Sequence, residues 1–329
     1  MKLDVHNHVL PKVSLDLLRT DRAYGATVTD TEFTGGNHGL FWLDPGFYEP
    51  DAKVAQLQAK GLDGAILSTA PPLFFYNLDA DLGETMARLT NRGLRDFAAA
   101  YPDRLRWMAT LPMAGPERVV SVLEDAVTSG AIGVEVGTCI AGRRLDEEAY
   151  QPFWAAAERL QTPVLLHPAF NEAHCGLEPF YFQNVIGNQL ETTVTIERLI
   201  ASGVLSRHPD VRIVLVHGGG YFPFQAGRLK HATTVREELK DAPADPWSFF
   251  GQVVVDTLTH DAETLRHLIS RVGRTNVVMG TDSPFDMSTP EPMKMLREVA
   301  DDETVRAITE DNIARVYRLS ERAVTVGAP

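Results

Sequence analysis

The sequence is poor in cysteine and has no long apolar run. Its 329 residues include only two cysteines, Cys139 and Cys175, too few for a disulfide framework, which favours the reducing cytoplasm. No apolar stretch approaches the roughly 20 residues that a membrane-spanning helix needs. The first ten residues place Asp4, His6 and His8 where a secretory signal would be apolar. We therefore expect a cytoplasmic protein without a membrane segment.

Positive charge is also scarce. The chain has 31 Lys and Arg against 44 Asp and Glu, a formal net charge of −13, and its basic residues form no cluster. Because nucleic-acid binding depends on neutralising phosphates, this balance argues against a nucleic-acid partner. Hydrophobic residues make up 44% of the chain, enough to bury a core and to exclude disorder of the whole chain.

Short apolar runs rich in β-branched residues alternate with amphipathic segments. This alternation predicts parallel strand–helix–strand units, and eight runs favour an α/β fold of the (β/α)8 TIM-barrel type over a doubly wound sheet. The runs are 3–5, 64–69, 105–111, 132–137, 163–167, 211–217, 252–257 and 276–281. We expect a single domain over residues 1–329, in which residues 12–50 form a small insertion after strand 1, over the barrel mouth.

Polar side chains stand at the ends of four of these runs. His6 and His8 follow the first run, His167 ends the fifth, His217 ends the sixth and Asp282 follows the eighth. Because the carboxyl ends of barrel strands meet at one mouth, we expect these side chains to lie together. Nitrogen and oxygen donors in such a set bind Zn²⁺, Mn²⁺ or Fe²⁺. A single histidine at a strand end more often has a structural role, but five residues placed in this way predict a metal site.

Several motifs follow one another over nearly the whole chain in the order known from one enzyme family. They are DVHNHVLP (4–11), LDPGF (43–47), GAILST (64–69), TLPM (110–113), GVEVGT (133–138), LLHP (165–168), ETTVTI (191–196), VHGGGYFPFQAGR (216–228) and GTDSPF (280–285). With these motifs the chain resembles the amidohydrolase superfamily, in particular the decarboxylases related to 2-amino-3-carboxymuconate-6-semialdehyde decarboxylase (ACMSD). HGGG…GR followed by GTDSPF is the most specific part of the resemblance.

The resemblance implies roles for individual residues. One divalent metal ion, and no organic cofactor, would be held by His6, His8, His167 and Asp282, the aspartate being catalytic as well. His217 would be the acid/base that acts on a metal-activated water. Arg228 would grip a substrate carboxylate from a neighbouring subunit, which implies a homodimer. The chain begins His-x-His rather than the Glu-x-His of resorcylate-type decarboxylases, which favours zinc over manganese or iron.

Three positions depart from the family pattern, and we expect each to contact substrate. Tyr48 stands where a second substrate-gripping arginine is expected, and Tyr181 stands where the family has a tryptophan. Glu135 in GVEVGT is predicted to point into the barrel, since the valines beside it alternate with it. It would bridge a second metal ion, or bond a ligand or a metal-binding histidine. These departures favour a substrate other than the muconate semialdehyde itself.

Three functions therefore remain open. The leading one is a metal-dependent, non-oxidative decarboxylase that acts on a small aromatic or unsaturated carboxylate. The same site would also serve a hydrolase of a cyclic or open amide, lactone or imide, or a hydratase, and Tyr48 and Glu135 motivate this alternative. A non-catalytic partner subunit is the third, and the complete set of metal ligands argues against it.

Overall fold

The computed structural model describes residues 1–35, 39–169, 176–178 and 180–320. Cys175 lies outside the described residues, and Cys139 is buried. The strands of the described residues are, in chain order, β1 (Leu3–Asp4), β2 (His8–Val9), β3 (Ala26–Val28), β4 (Glu32–Gly35), β5 (Leu40–Trp42), β6 (Gly64–Thr69), β7 (Leu105–Thr110), β8 (Gly133–Gly137), β9 (Val164–His167), β10 (Ile213–Leu215), β11 (Val253–Asp256) and β12 (Val277–Val278).

Eight strands form one parallel sheet in the order β1, β6, β7, β8, β9, β10, β11 and β12, with β2 also paired to β6. The sheet curls until its two ends meet. At this junction the Val5 amide donates to the Met279 carbonyl at 3.0 Å, and Asn7 pairs with Ser283. Strand order follows chain order without the reversal that a doubly wound sheet requires. The α/β barrel prediction is confirmed as a TIM-barrel-like fold.

Two strands end earlier than their apolar runs predict. β10 stops before His217, whose φ of +55° takes the chain out of the extended conformation. β12 covers only two residues, because the Met279 amide already bonds the Ile308 carbonyl and the Thr281 amide bonds the His6 carbonyl. Both strands thus end a few residues before a predicted site residue, His217 after β10 and Asp282 after β12.

Helices separate the barrel strands, as the amphipathic segments predict. α3 begins after Asp79, whose carboxylate accepts from the Asp81 amide, and α9 is capped by Asp261 in the same way. The helices are α1 (Lys12–Thr20), α2 (Pro50–Ala59), α3 (Ala80–Ala99), α4 (Pro116–Thr128), α5 (Gln151–Arg159), α6 (Asn188–Ala201), α7 (Val204–Arg207), α8 (Phe222–Val235), α9 (Ala262–Val272), α10 (Pro292–Val299), α11 (Asp302–Arg306) and α12 (Asn312–Tyr317). None of the helices in the described ranges is long and apolar enough to cross a membrane.

Residues 12–50 contain α1 and a small antiparallel sheet of β3, β4 and β5. This segment has its own apolar cluster, in which Phe33 and Phe47 pack with Phe75 and Met86 from the barrel side. The Phe41 ring lies 5.5 Å from the Phe285 ring. Burial of these aromatic side chains fixes the segment to the loops that follow the strands.

Candidate functional site

Four of the predicted side chains meet at the carboxyl ends of the strands. His8 lies on β2, His167 ends β9, and His6 and Asp282 lie beside the seam between β1 and β12. One donor atom from each of the four lies within 4.8 Å of the other three, and all four residues are buried. The strand-end pattern of the sequence thus corresponds to one compact group of donors.

The outer nitrogen of each of the three histidines is already bonded. Nδ1 of His6 donates to Asp256 at 2.7 Å, Nδ1 of His8 to the Thr69 carbonyl at 3.0 Å, and Nδ1 of His167 to the Pro168 carbonyl at 2.8 Å. A ring that carries its proton on Nδ1 has its lone pair on Nε2. All three rings therefore present a lone pair to the centre of the group, as histidine ligands of metal ions do.

The donor atoms that face the centre of the group have no hydrogen-bond partner. Nε2 of each of the three histidines and Oδ1 of Asp282 are buried without a hydrogen-bond partner. Nε2 of His8 and Nε2 of His6 lie 3.0 Å and 3.4 Å from Asp282 Oδ1. Buried polar atoms are costly to leave unpaired, and three imidazole nitrogens with one carboxylate oxygen suit a divalent transition metal. The residues present fit such an ion.

Electrostatics within the group favour a cation. Burial would raise the pKa of Asp282, but the rings of His6, His217 and His8 hold it well below its usual value. Burial likewise disfavours the charged ring of His6, but Asp282 and Asp256 outweigh it and raise the pKa of His6 to about 10. Two carboxylates thus draw a proton onto this ring, and a divalent cation would compete with that proton for the same place.

Asp256 is a site residue that the strand-end reasoning missed. It closes β11, and its Oδ1 accepts from the Gly218 amide at 2.7 Å while its Oδ2 accepts from His6. Gly280 has to be glycine beside this pair, since a Cβ there would lie 2.8 Å from both Asp256 Oδ2 and His6 Cβ. A carboxylate that ends the run VVVD was the available signal, because an unpaired charge after a buried strand demands a partner.

His217 lies next to the four donors. Its Nε2 is 3.6 Å from Asp282 Oδ2, and its ring centroid is 5.0 Å from that of His6 and 5.2 Å from that of His167. Asp282 therefore faces His6 and His8 with one oxygen and His217 with the other. Both His217 and Asp282 have positive φ, an uncommon conformation that clusters at functional sites.

A cavity of about 530 Å³ opens onto this group, and His167, His217 and Asp282 form part of its wall. Aromatic rings line it from two sides: Phe41 and Trp42 of β5, Tyr181, and Phe285 of the GTDSPF motif. The Phe285 ring also lies 5.3 Å from that of His8. A cleft of this size with apolar walls and a few polar groups is typical of a small-molecule site.

The polar part of the wall is acidic or neutral. Asp44, Asp286, Asn184 and Asn188 line the cavity, and no Lys or Arg is among its described lining residues. The two asparagines were not predicted. They carry no strand-end signal, because they belong to a helical turn between β9 and β10.

Only one of the four predicted substrate contacts is among the described residues that line the cavity. Tyr181 lines the cavity, whereas Tyr48, Glu135 and Arg228 are not among the described residues that do. Tyr48 packs against the apolar cluster of residues 12–50, with Lys12 Nζ 6.0 Å from its ring centroid. Arg228 is exposed on α8.

Glu135 points into the barrel, as the alternation of GVEVG predicts. It is completely buried, and burial raises its pKa well above the usual value, although His6 and the Ser68 hydroxyl act in the opposite direction. Its Oε1 lies 3.9 Å from Nδ1 of His8, the ring nitrogen remote from the donor centre. Glu135 thus lies on the Nδ1 side of the His8 ring and not within the group of four donors.

The fold and the donor group together define a metal-binding barrel enzyme with a His-x-His pair directly after its first strand, β1. The chain belongs to the amidohydrolase family, whose model Amidohydro_2 matches residues 3–319. The resemblance inferred from the motifs is confirmed, and so is the prediction that the protein is an enzyme.

Similar proteins cover almost the whole chain. It is 28% identical over 309 residues to 2-amino-3-carboxymuconate-6-semialdehyde decarboxylase of Dictyostelium discoideum, which covers 91% of this chain and 86% of the relative. The fold matches Metarhizium anisopliae IDCase in its apo form with a TM-score of 0.84, 22% identity and 98% of each chain covered. It also matches a dihydroxybenzoic acid decarboxylase of Polaromonas sp. JS666, solved with manganese and 2-nitroresorcinol, with a TM-score of 0.79, 21% identity and 98% of each chain covered.

Proposed function

We propose that the protein is a metal-dependent, non-oxidative decarboxylase of a small aromatic or unsaturated carboxylate. The observation that carries the proposal is the group of His6, His8, His167 and Asp282 beside an aromatic-walled cavity of about 530 Å³. Decarboxylase names among the relatives support the same reaction class. Residues 12–50, which contribute Phe41 and Trp42 to the wall, act in this proposal as a cover over the barrel mouth.

The metal ion would be held by the Nε2 atoms of the three histidines and by Asp282 Oδ1. Three imidazoles and one carboxylate favour zinc, although manganese is bound in the Polaromonas enzyme and iron suits the same donors. When bound, such an ion polarises a substrate oxygen and lowers the pKa of a water molecule. Glu135 lies outside the group of four donors, which favours one ion per chain over two.

His217 is the proton carrier in this proposal. Its ring lines the cavity, its Nδ1 is buried without a partner, and its Nε2 faces Asp282 Oδ2. Decarboxylation breaks the bond between a carbon atom and its carboxylate, and a proton must then replace the departing CO₂. An imidazole can both accept and donate a proton, which suits this transfer. The aromatic walls hold the ring of the substrate and exclude bulk water.

Arg228 acts from a neighbouring copy in this proposal. The described cavity lining contains no cation, and Arg228 is exposed on α8 outside that lining. A homodimer that brings this guanidinium to the mouth of the partner's cavity would supply the charge that a substrate carboxylate needs.

CO₂ release from metal-loaded protein tests the reaction. A panel of hydroxybenzoates and muconate semialdehydes should contain at least one substrate, and protein stripped with a chelator should release no CO₂. No release from any member by protein with one equivalent of zinc, manganese or iron would refute the proposed reaction.

A second candidate function is hydrolysis of an amide, lactone or imide, or hydration of an alkene. The absence of Lys and Arg from the described part of the lining favours it, since a neutral substrate needs no guanidinium. The discriminating measurement is proton or amine release from dihydropyrimidines and aromatic lactones, with no CO₂ formed. Two metal ions per chain by elemental analysis would also favour this alternative.

A further inference from the structure

The buried face of α6 carries a row of polar side chains. Asn188, Glu191, Thr192 and Thr195 lie at the spacing that brings residues to one side of a helix, and all four are buried. Polar groups in such positions need partners. A buried polar side chain on this face that has no partner within the protein is therefore a candidate to bind a ligand.

Three of the four side chains are bonded within the protein. Glu191 Oε2 accepts from Thr138 Oγ1 at 2.9 Å and from the Ala169 amide at 3.2 Å. Thr195 Oγ1 donates to the Thr138 carbonyl at 3.0 Å, and Thr192 Oγ1 donates to the Asn188 carbonyl. These bonds attach α6 rigidly to the chain segments that follow β8 and β9.

The fourth side chain, Asn188, is different. The residue is only 2% exposed, its Oδ1 is buried without a hydrogen-bond partner, and it lines the cavity together with His167 and His217. The turn before it, Gln183–Gly187, is a π-helix, a wider turn that is frequent at functional sites. Asn184, one turn earlier, lines the same wall. Asn188 thus combines a place in the cavity wall with a buried, unpartnered amide oxygen, on a helix that the neighbouring bonds hold in place.

We propose that Asn188 is a specificity-determining residue that bonds a hydroxyl group on the substrate ring. This inference rests on the proposed decarboxylase function and deepens it to a hydroxylated ring with a single carboxylate.

The choice of a hydroxyl follows from the charges around the amide. A second carboxylate would meet the unpartnered Oδ1 and the aspartates of the wall, with no Lys or Arg among the described lining residues to offset its charge. A hydroxyl donates to Oδ1 and accepts from the amide nitrogen, so both ends of the side chain gain a partner. A site with a buried group of this kind discriminates against an analogue that lacks the matching hydroxyl.

The experiment compares benzoate with its 2-, 3- and 4-hydroxy and 2,6-dihydroxy derivatives on metal-loaded wild-type protein, Asn188→Leu and Asn188→Ala. KM and kcat are measured for rings that release CO₂, and inhibition constants for those that do not. For the preferred hydroxylated ring, both variants should raise KM about tenfold, the value of one good hydrogen bond, and should change kcat much less. The inhibition constant of benzoate should stay within a factor of about two, because it lacks the hydroxyl.

Gln189→Leu is the matched control, since Gln189 is the next residue of α6 and is not among the described lining residues. Equal losses for benzoate and the hydroxylated ring in both Asn188 variants would mean a structural role and would overturn the assignment. Unchanged KM values in both variants would overturn it as well. In either case, CO₂ release by the wild type would leave the proposed function standing. If no ring binds or releases CO₂ with wild-type protein, the proposed function fails and the inference fails with it.

Discussion

Asp256 accepts a hydrogen bond from Nδ1 of His6 at 2.7 Å, and its other oxygen accepts one from the amide of Gly218. One buried carboxylate thus fixes the ring of a metal-donor histidine and the loop that begins with His217. It also sets which nitrogen of His6 faces the donor centre.

Asp256→Asn should therefore weaken metal binding by about 10- to 100-fold. An amide keeps the size of the side chain but offers only one oxygen, so it cannot accept both from His6 and from the Gly218 amide. Competition against a chromophoric chelator measures the affinity for zinc. Asp261→Asn is the control, because that carboxylate caps α9 away from the donors. An affinity equal to that of the wild type would contradict the role of Asp256.

Substitution of a metal donor and substitution of His217 should have different effects on the amount of bound metal. His167→Ala should lose bound metal, since it removes one of four donors, whereas His217→Ala should keep one equivalent per chain and lose turnover by about 10²- to 10⁴-fold. Elemental analysis and CO₂ release measure the two quantities on the same samples. His267→Ala, at an exposed position on α9, is the control for the substitution itself. Metal loss in His217→Ala would make His217 a ligand.

The role of Arg228 in a partner's site predicts rescue between two inactive variants. Arg228→Ala and His217→Ala homodimers should each have low activity, and mixing them under exchange conditions should restore part of it. One site of each hybrid dimer then has both side chains. Native mass spectrometry checks that hybrids form, and Arg95→Ala, an exposed change on α3, replaces Arg228→Ala in the control mixture. Hybrids without restored activity would argue against a shared site.

Lys53 should be important for stability. It is completely buried on α2, and its Nζ donates to the carbonyls of His8 at 2.9 Å and Ser283 at 3.3 Å, which ties the two ends of the barrel together. Lys53→Met leaves those carbonyls unpaired and should lower the free energy of unfolding by about 2 kcal/mol. Lys12→Met removes an exposed ion pair with Glu49 and should change it by less than about 1 kcal/mol. Urea unfolding of metal-free protein compares the two variants, and equal effects would rule out this role of Lys53.

The barrel and the donor set were predictable from the sequence because each depends on short segments, namely apolar runs and the residues that directly follow them. A β-branched run such as 253–256 predicts a strand by its composition, and a histidine or aspartate directly after a run is placed at the mouth by the topology alone. The alternation of GVEVG placed Glu135 inside the barrel for the same reason.

What the sequence could not show depends on pairings between distant residues. Asp256 is recognisable only through its bonds to His6 and Gly218, which lie 250 and 38 residues away along the chain. Asn188 is one of many polar residues on an amphipathic helix, and its importance lies in the missing partner of Oδ1. Lys53 reads as an ordinary surface lysine of α2 until the seam of the barrel places two carbonyls around its Nζ.

The seam between β1 and β12 has a consequence for synthesis of the protein. His6 and His8 leave the ribosome some 270 residues before Asp282, which faces both. The Val5 amide likewise precedes the Met279 carbonyl that it bonds by some 270 residues. A nascent chain can complete the donor group only after residue 282 has emerged. A cation that needs all four donors would therefore bind only after that point, and truncated products that stop before residue 282 carry the histidines without the carboxylate that completes the set.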